Sequence, residues 1–129
     1  MPDETPDLRV TDVDHVVLNV ADAERSLTFY VGELGLAPVR IEEWRRGEVP
    51  FPSVRVTPTF IVDLLETART GVNQDHLCLV VHPVDLAAVA ASGRFTVVDG
   101  PAPRFGARGM GRSLYVLDPD GNTVELRHY

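Results

Sequence analysis

The chain has 129 residues, which is enough for one compact domain and leaves no room for a separate cofactor-binding domain. Lysine is absent and Cys78 is the only cysteine, which excludes Schiff-base catalysis, the lysine of a P-loop and a thiolate zinc cluster. The formal net charge of -7 and the lack of an apolar run close to ~20 residues argue against nucleic-acid and membrane partners and predict a cytoplasmic protein.

The first half of the chain predicts the order strand, helix and three strands. Residues 1–11 are acidic and contain prolines, which predicts a flexible tail before a single domain over 12–129. A helix is predicted from an N-cap at Asp22 to a stop at Gly35, because apolar residues recur there at helical spacing. The predicted strands, which are short and rich in β-branched residues, are Val13–Val20, Leu36–Trp44, Ser53–Thr57 and Thr59–Leu65.

The second half predicts the same order again. Pro83 suits a first helical turn and Gly93 a helix end, so a helix is predicted over 83–91. The connection over 100–111 is rich in glycine and proline, and the segment 106–113 predicts a mobile lid or a solvated loop. The segment 118–121 predicts a β-turn. The predicted strands are His76–Val81, Phe95–Val98, Arg112–Leu117 and Asn122–Arg127.

Two pairs of residues recur at nearly the same interval. Asp14-His15 opens the first strand of one half, and Asp75-His76 opens that of the other half 61 positions later. Asp63 lies in the last strand of the first half, and Glu125 lies in the last strand of the second half, 62 positions later. Matching order and spacing predict two βαβββ modules. The predicted modules are residues 13–66 and 75–129.

The repeated residues are of types that bind metals. If a pseudo-twofold axis relates the modules, the paired imidazoles and carboxylates converge on one point from four strands: His15, Asp63, His76 and Glu125. This donor set suits Fe, Mn, Ni, Co or Zn and leaves positions for water or substrate. A single strand histidine is more often a hydrogen-bonded residue than a ligand, and a single strand carboxylate more often faces solvent. Asp63, however, lies in the nearly continuous apolar run 60–65, where an ionised carboxylate needs a cation or hydrogen-bond donors.

Several motifs together resemble the vicinal oxygen chelate superfamily over about residues 13–129. They are the paired modules, Asp14-His15, Phe29-Tyr30, Leu34-Gly35-Leu36, His76 and the segment from Asp118 to Leu126 that reads D-P-D-G-N-T-V-E-L. The superfamily includes glyoxalases, extradiol dioxygenases, methylmalonyl-CoA epimerases, fosfomycin-resistance enzymes and bleomycin-binding proteins, and this chain is similar to its small single-domain glyoxalase-like members. The resemblance implies an α+β fold in which two βαβββ modules form a curved mixed sheet around a central cavity.

The resemblance also implies roles for individual residues. His15, His76 and Glu125 match the metal ligands of the family, and Asp63 matches an additional fourth position that is usually Glu or Gln. Tyr115 matches a tyrosine that faces the substrate in fosfomycin-resistance enzymes, and packing in the core is the alternative role. Glutathione-dependent glyoxalases carry an arginine four residues after the first histidine; this chain has an asparagine there, which argues against glutathione thioester chemistry.

These residues predict an enzyme that chelates a small oxygen-bearing substrate to a divalent metal, with Glu125 and Tyr115 as catalytic residues. Ligation by Asp63 favours isomerase or lyase chemistry. If only three residues ligate, an extradiol-type Fe(II) dioxygenase is the alternative. A metal-free protein that binds a drug or metabolite, as bleomycin-resistance proteins do, is the second alternative. A homodimer is expected as the assembled form.

Overall fold

The computed structural model describes residues 5–33, 35–68, 70–117 and 121–129. Leu34, at the predicted end of the first helix, and residues 118–120 of the predicted β-turn lie outside this part of the chain. The elements are β1 (Val10–Val20), α1 (Ala23–Leu27), β2 (Ala37–Val39), α2 (Ile41–Arg45), β3 (Ser53–Thr57), β4 (Phe60–Glu66), β5 (Gln74–Val81), α3 (Leu86–Ala91), β6 (Val97–Gly106), β7 (Gly109–Leu117) and β8 (Thr123–His128). Within the described residues, no helix has the length and apolar character needed to cross a membrane.

The chain divides into two compact units. The N-terminal unit is His15–His76, and the C-terminal unit consists of residues 5–14 with Leu77–Tyr129. Both contain mixed sheets, and both follow the predicted order of strand, helix and three strands, with α2 as an addition in the first. The α+β class and the mixed sheet predicted from the sequence are therefore confirmed, whereas the central cavity stays a prediction.

In the N-terminal unit the strands are ordered β2-β3-β4-β1, with β1 parallel to β4 and the other neighbours antiparallel. Leu27 of α1 packs on this sheet against Val54 and Leu64. Asp22 caps α1 as predicted, because its carboxylate accepts a hydrogen bond from the backbone N–H of Arg25. The helix continues as a π-helical segment over Thr28–Glu33.

The strand predicted over Leu36–Trp44 is wrong in its second half. The strand ends at Val39, and Ile41–Arg45 forms the helix α2. The left-handed backbone of Arg40, with φ at 59°, turns the chain out of the sheet. Ile41 and Trp44, one helical turn apart, then both pack on the core of the N-terminal unit. Tertiary packing has therefore overridden the strand-like local sequence.

In the C-terminal unit the strands are ordered β5-β8-β7-β6, with β5 parallel to β8. Val81, Leu86, Val89 and Leu114 belong to its apolar core. The helix predicted from Pro83 begins only at Leu86. Asp85 sets this boundary, because its carboxylate accepts a hydrogen bond from the backbone N–H of Ala88 and so caps α3.

The mobile lid or solvated loop predicted over 106–113 is wrong, because these residues belong to a β-hairpin. β6 and β7 pair from Ala102 opposite Ser113 to Gly106 opposite Gly109. β6 is the outermost strand of its sheet, which is where strand prolines are tolerated. Gly109 has a φ of 97°, a conformation that closes the turn and disfavours other residues. The glycines and prolines of this segment therefore belong to a β-hairpin and its turn, not to an irregular loop.

The predicted tail also extends too far. β1 begins at Val10, two residues before the expected start of the domain. Arg9 and His82 exchange hydrogen bonds through the Arg9 backbone, and Leu8 packs against the core of the C-terminal unit. Residues 8–11 are therefore part of the fold.

Candidate metal centre

His15 and Asp63 lie side by side in the N-terminal unit. Val17 pairs with Asp63 across the parallel strands β1 and β4, and His15 lies two residues before Val17 on the same face. His15 Nε2 is 3.8 Å from Asp63 Oδ2, and the two residues are only 2% and 1% exposed. The strand register therefore brings an imidazole and a carboxylate together in a dry environment.

His76 joins this pair within the same unit. One ring nitrogen of His76 lies within 4.8 Å of one of His15, and the ring centroids are 5.4 Å apart at nearly a right angle. His76 Nδ1 forms a hydrogen bond of 2.7 Å with Asp75 Oδ2. Carboxylates commonly hold metal-binding histidines in this way, because the hydrogen bond fixes the ring and directs the other nitrogen to the metal.

Asp63 is oriented by a serine that the sequence analysis did not identify. Ser53 lies opposite Asp63 on β3, and its Oγ donates a 2.5 Å hydrogen bond to Asp63 Oδ1. Burial raises the pKa of Asp63, and the positive charges of His15 and Arg40 oppose this increase. Asp63 therefore has one oxygen bound to Ser53, while the other is the atom close to His15.

Glu125 has an equivalent arrangement in the C-terminal unit. It pairs with Cys78 across the parallel strands β5 and β8, as Asp63 pairs with Val17 in the first unit. Ser113 Oγ donates a 2.7 Å hydrogen bond to Glu125 Oε2. Ser53 and Ser113 are fully buried residues near the same position of the repeat, so a serine in the third strand of each module was the signal that could have identified them.

Arg127 is the second residue that the sequence analysis missed. It is fully buried, and its Nη1 donates to Glu125 Oε2 at 3.1 Å. Its Nε lies 3.6 Å from Asp14 Oδ2, which also accepts a hydrogen bond from the Tyr129 hydroxyl. A charged residue two positions after Glu125 on a buried strand was the available signal, because such a residue faces the same side and needs partners.

Tyr115 lies next to Glu125 in the same unit. The two residues are opposite one another on β7 and β8, and Tyr115 is half-buried. The guanidinium of Arg104 is 5.8 Å from the centre of its ring. Burial and the negative charge of Glu125 raise the pKa of Tyr115, so its hydroxyl stays protonated near neutral pH. The predicted site residues thus fall into two groups, His15, His76 and Asp63 in one unit and Tyr115 and Glu125 in the other.

The spacing of His15 and Asp63 in the N-terminal unit fits binding to one divalent metal ion. Atoms bound to one ion at about 2.0–2.2 Å are at most about 4.4 Å apart. The 3.8 Å between His15 Nε2 and Asp63 Oδ2 is within this limit and too long for a hydrogen bond. Imidazole and carboxylate donors without thiolate suit Mn, Fe, Co, Ni or Zn.

Comparisons with known proteins agree with this fold. The sequence model of the Glyoxalase/Bleomycin resistance protein/Dioxygenase superfamily matches residues 12–126. Virulence protein STM3117 of Salmonella typhimurium is 26% identical over 129 residues, which cover 98% of this chain and 90% of that protein. The glyoxalase domain-containing protein RDO1 of Mycosarcoma maydis is 32% identical over 133 residues, which cover 95% of this chain and 70% of that protein.

Solved structures show the same architecture. The Mn(II)-bound glyoxalase from Novosphingobium aromaticivorans superposes with a TM-score of 0.67 at 21% identity, over 94% of this chain and 40% of that chain. The fold, the site residues of the N-terminal unit and the family match over residues 12–126 lead to one conclusion. The chain belongs to the Glyoxalase/Bleomycin resistance protein/Dioxygenase superfamily, as a small glyoxalase-like member.

Proposed function

We propose that this protein is a divalent-metal-dependent enzyme of the isomerase or lyase type that acts on a small substrate with two oxygen donors. The proposed ligands are His15, Asp63, His76 and Glu125. The observation that carries the proposal is the almost complete burial of Asp63 with its Oδ2 3.8 Å from His15 Nε2. A buried carboxylate beside an imidazole is costly without a cation, and a shared metal ion supplies one.

Different residues have the roles of binding the ion and positioning the substrate. Ser53 and Asp75 hold Asp63 and His76 by hydrogen bonds in the N-terminal unit. A divalent ion held there supplies Lewis-acid stabilisation of the negative charge that develops on a substrate oxygen. We propose Glu125 as the fourth ligand, on the basis of its motif position and its match to Asp63. We propose that the Tyr115 hydroxyl donates a hydrogen bond to the substrate, since a phenol is protonated at neutral pH.

The burial of Asp63 also favours this function over the two alternatives, which are an extradiol-type dioxygenase and a metal-free binding protein. A three-ligand iron site of the extradiol type does not need Asp63 as a fourth ligand, and a metal-free binding protein would bear the cost of burying this second carboxylate. The expected homodimer and the cytoplasmic location stay predictions.

Metal binding by single variants tests the proposal. We expect purified wild-type protein to bind about one Mn(II) in isothermal titration, and we expect His15→Ala, Asp63→Ala and Glu125→Gln to lose most of this binding because each removes a ligand. His82→Ala is the matched control, since His82 is a histidine that is not a proposed ligand: its Nδ1 accepts a hydrogen bond from the backbone N–H of Arg9.

The outcomes separate the candidate functions. Absence of binding to Mn(II), Fe(II), Co(II), Ni(II) and Zn(II) by the wild type contradicts the proposal and favours a metal-free binding protein. Loss of binding in the His15 and Glu125 variants with normal binding in Asp63→Ala favours the three-ligand site. Oxygen uptake by the Fe(II) form with a catechol would then identify the dioxygenase alternative.

A further inference from the structure

The C-terminal unit has a cavity on the face of its sheet that packs against α3. Side chains alternate along β7 and β8, so Val116, Val124 and Leu126 lie on the face opposite Tyr115 and Glu125. A cavity of about 600 Å³ opens on this face. Tyr115 and Glu125 are not among the described residues that line it, so the cavity is distinct from the site residues of this unit.

The wall of the cavity is almost entirely apolar. Val81, Val116 and Leu126 line it and are buried, so they form its floor. Leu8 and Val10 also line it, and Val10 is 56% exposed, which places it at the rim. Cavities that bind small molecules typically have about 300–1,000 Å³ and combine an apolar wall with a few polar groups. The size and the lining of this cavity therefore fit a ligand with an apolar body.

Arg94 provides the charge at this cavity. Among the described residues of the lining it is the only charged one, and none of them carries a carboxylate. Arg94 is exposed, and its Cζ lies 5.4 Å from the centre of the Phe95 ring. In the described part of the chain the ion pairs involve other arginines and two histidines, so a ligand that binds Arg94 displaces no acidic side chain. The hydroxyl of Thr96, which also lines the cavity, is a second donor for an anion.

We propose that this cavity binds a medium-chain fatty acid, with the hydrocarbon chain on the apolar floor and the carboxylate at Arg94 and Thr96. Removal of the chain from water provides the main driving force. The guanidinium selects the carboxylate, because its planar N–H groups match the two carboxylate oxygens. The proposal does not depend on the metal-dependent function, since the cavity lies on the face of the sheet opposite Glu125.

Isothermal titration with decanoate tests the proposal. A chelator is present throughout, so that the carboxylate cannot bind through a metal ion. We expect saturable binding of about one decanoate per chain with a Kd below about 1 mM. Octanoate should bind about tenfold more weakly, because each buried methylene strengthens binding by a factor of about four. Decyltrimethylammonium has a decyl chain with the opposite charge and should bind more weakly than decanoate.

Variants locate the ligand in the cavity. Arg94→Gln should weaken decanoate binding about two- to fivefold, the effect of an exposed ion pair, and should not weaken decyltrimethylammonium binding. Arg112→Gln is the matched control, since Arg112 is an exposed arginine of the same unit outside the described lining. Val124→Phe fills the cavity and should abolish decanoate binding. If Val124→Phe does not fold, Val10→Trp obstructs the exposed rim and takes its place.

The outcomes distinguish this proposal from the proposed function. Absence of decanoate binding by the wild type, or tighter binding of decyltrimethylammonium than of decanoate, would overturn the proposal. Unchanged decanoate binding in Arg94→Gln or in the cavity variant would also overturn it, because the ligand would then lie elsewhere. If a second copy of the chain covers this face instead, decanoate will not bind and Val10→Trp will change the molar mass in light scattering. A wild type that binds decanoate but no divalent ion would support this proposal and contradict the metal-dependent function.

Discussion

Asp14, Asp63 and Glu125 are almost completely buried, and the donors around them explain why these residues are tolerated. Asp63 and Glu125 each accept a hydrogen bond from a serine hydroxyl. Asp14 accepts from the backbone N–H of Ala107 and from the Tyr129 hydroxyl, and it lies beside Arg127. Burying an ionised carboxylate without such partners costs several kcal/mol, so these donors are a condition for folding as well as for the site.

The glycine nearest to this network gives a test at the scale of a single residue. Gly106→Ala should destabilise the fold by about 1–3 kcal/mol, because a Cβ there would lie 2.6 Å from Asp14 Oδ1, Arg127 Cζ and the Tyr129 hydroxyl. These atoms are the ends of side chains, but their mutual bonds prevent them from moving aside. Equilibrium unfolding in urea measures the change.

Gly71→Ala is the control for that substitution. Gly71 is exposed, and a Cβ there would meet nothing within 4 Å. We expect its stability to stay within about 0.5 kcal/mol of the wild type. Equal stabilities for the two alanine variants would contradict this prediction, because they would show that the side chains of Asp14, Arg127 and Tyr129 can shift to make room for a Cβ at little cost.

The elements differ in how far their own sequence determines them. α1 and α3 begin next to aspartate N-caps, and their boundaries follow from those caps. α2 begins after a left-handed arginine without a side-chain cap, so packing of Ile41 and Trp44 against the N-terminal core determines it. The β6–β7 hairpin depends on pairing with β8, because β7 lies between β6 and β8.

Hydrogen exchange distinguishes this hairpin from a mobile lid. The amides of Arg112 and Ser113 should exchange at least on the order of 100-fold more slowly than that of Gly71, because at these two residues β7 pairs with both β6 and β8, while the segment around Gly71 is exposed. Mass-spectrometric or NMR exchange at neutral pH measures the rates. Similar rates at Ser113 and Gly71 would support the lid instead.

At the scale of the whole molecule, the two units share the same structural arrangement. Each has a parallel strand pair next to antiparallel strands, and each holds a buried carboxylate on its last strand by a serine. The match extends over most of the chain, in agreement with the family model over residues 12–126. Duplication of this arrangement gives each of the two units a buried carboxylate that is held by a serine.

Metal addition should stabilise the folded chain as a whole. A ligand that binds only the native state at 100 times its dissociation constant adds about 2.7 kcal/mol to the free energy of unfolding, so Mn(II) or Zn(II) should raise the thermal midpoint. Ca(II) at the same concentration should have little effect, because it prefers oxygen ligands to imidazole. Calorimetry before and after treatment with a chelator measures the shift, and equal midpoints with Mn(II) and Ca(II) would argue against the histidine-containing site.

Much of the fold could be predicted because it depends on local and periodic signals. The β-branched strands, the cap at Asp22 and the repeat of His15 at His76 are visible in the sequence. The helix α2 could not be predicted, because packing of Ile41 and Trp44 on the N-terminal core determines it. The hairpin over 97–117 was missed because its glycines and prolines are typical of a loop, whereas here they lie in an edge strand and a tight turn. Ser53 and Arg127 were missed because a serine or an arginine in a strand does not show which carboxylate it contacts until the strand register is known.

The sequence by itself determined the duplicated order of elements and the donor types, because these follow from periodicity and spacing. Its motifs resemble one superfamily, and that resemblance implied the α+β class. Only the tertiary structure decided how those donors are held. Strand register brings Asp63 to His15, and a guanidinium fixed by backbone carbonyls holds one oxygen of Glu125. The physical reason is that a buried polar group is stable only with its partners in place, and those partners are selected by the packing of strands that are far apart in the chain.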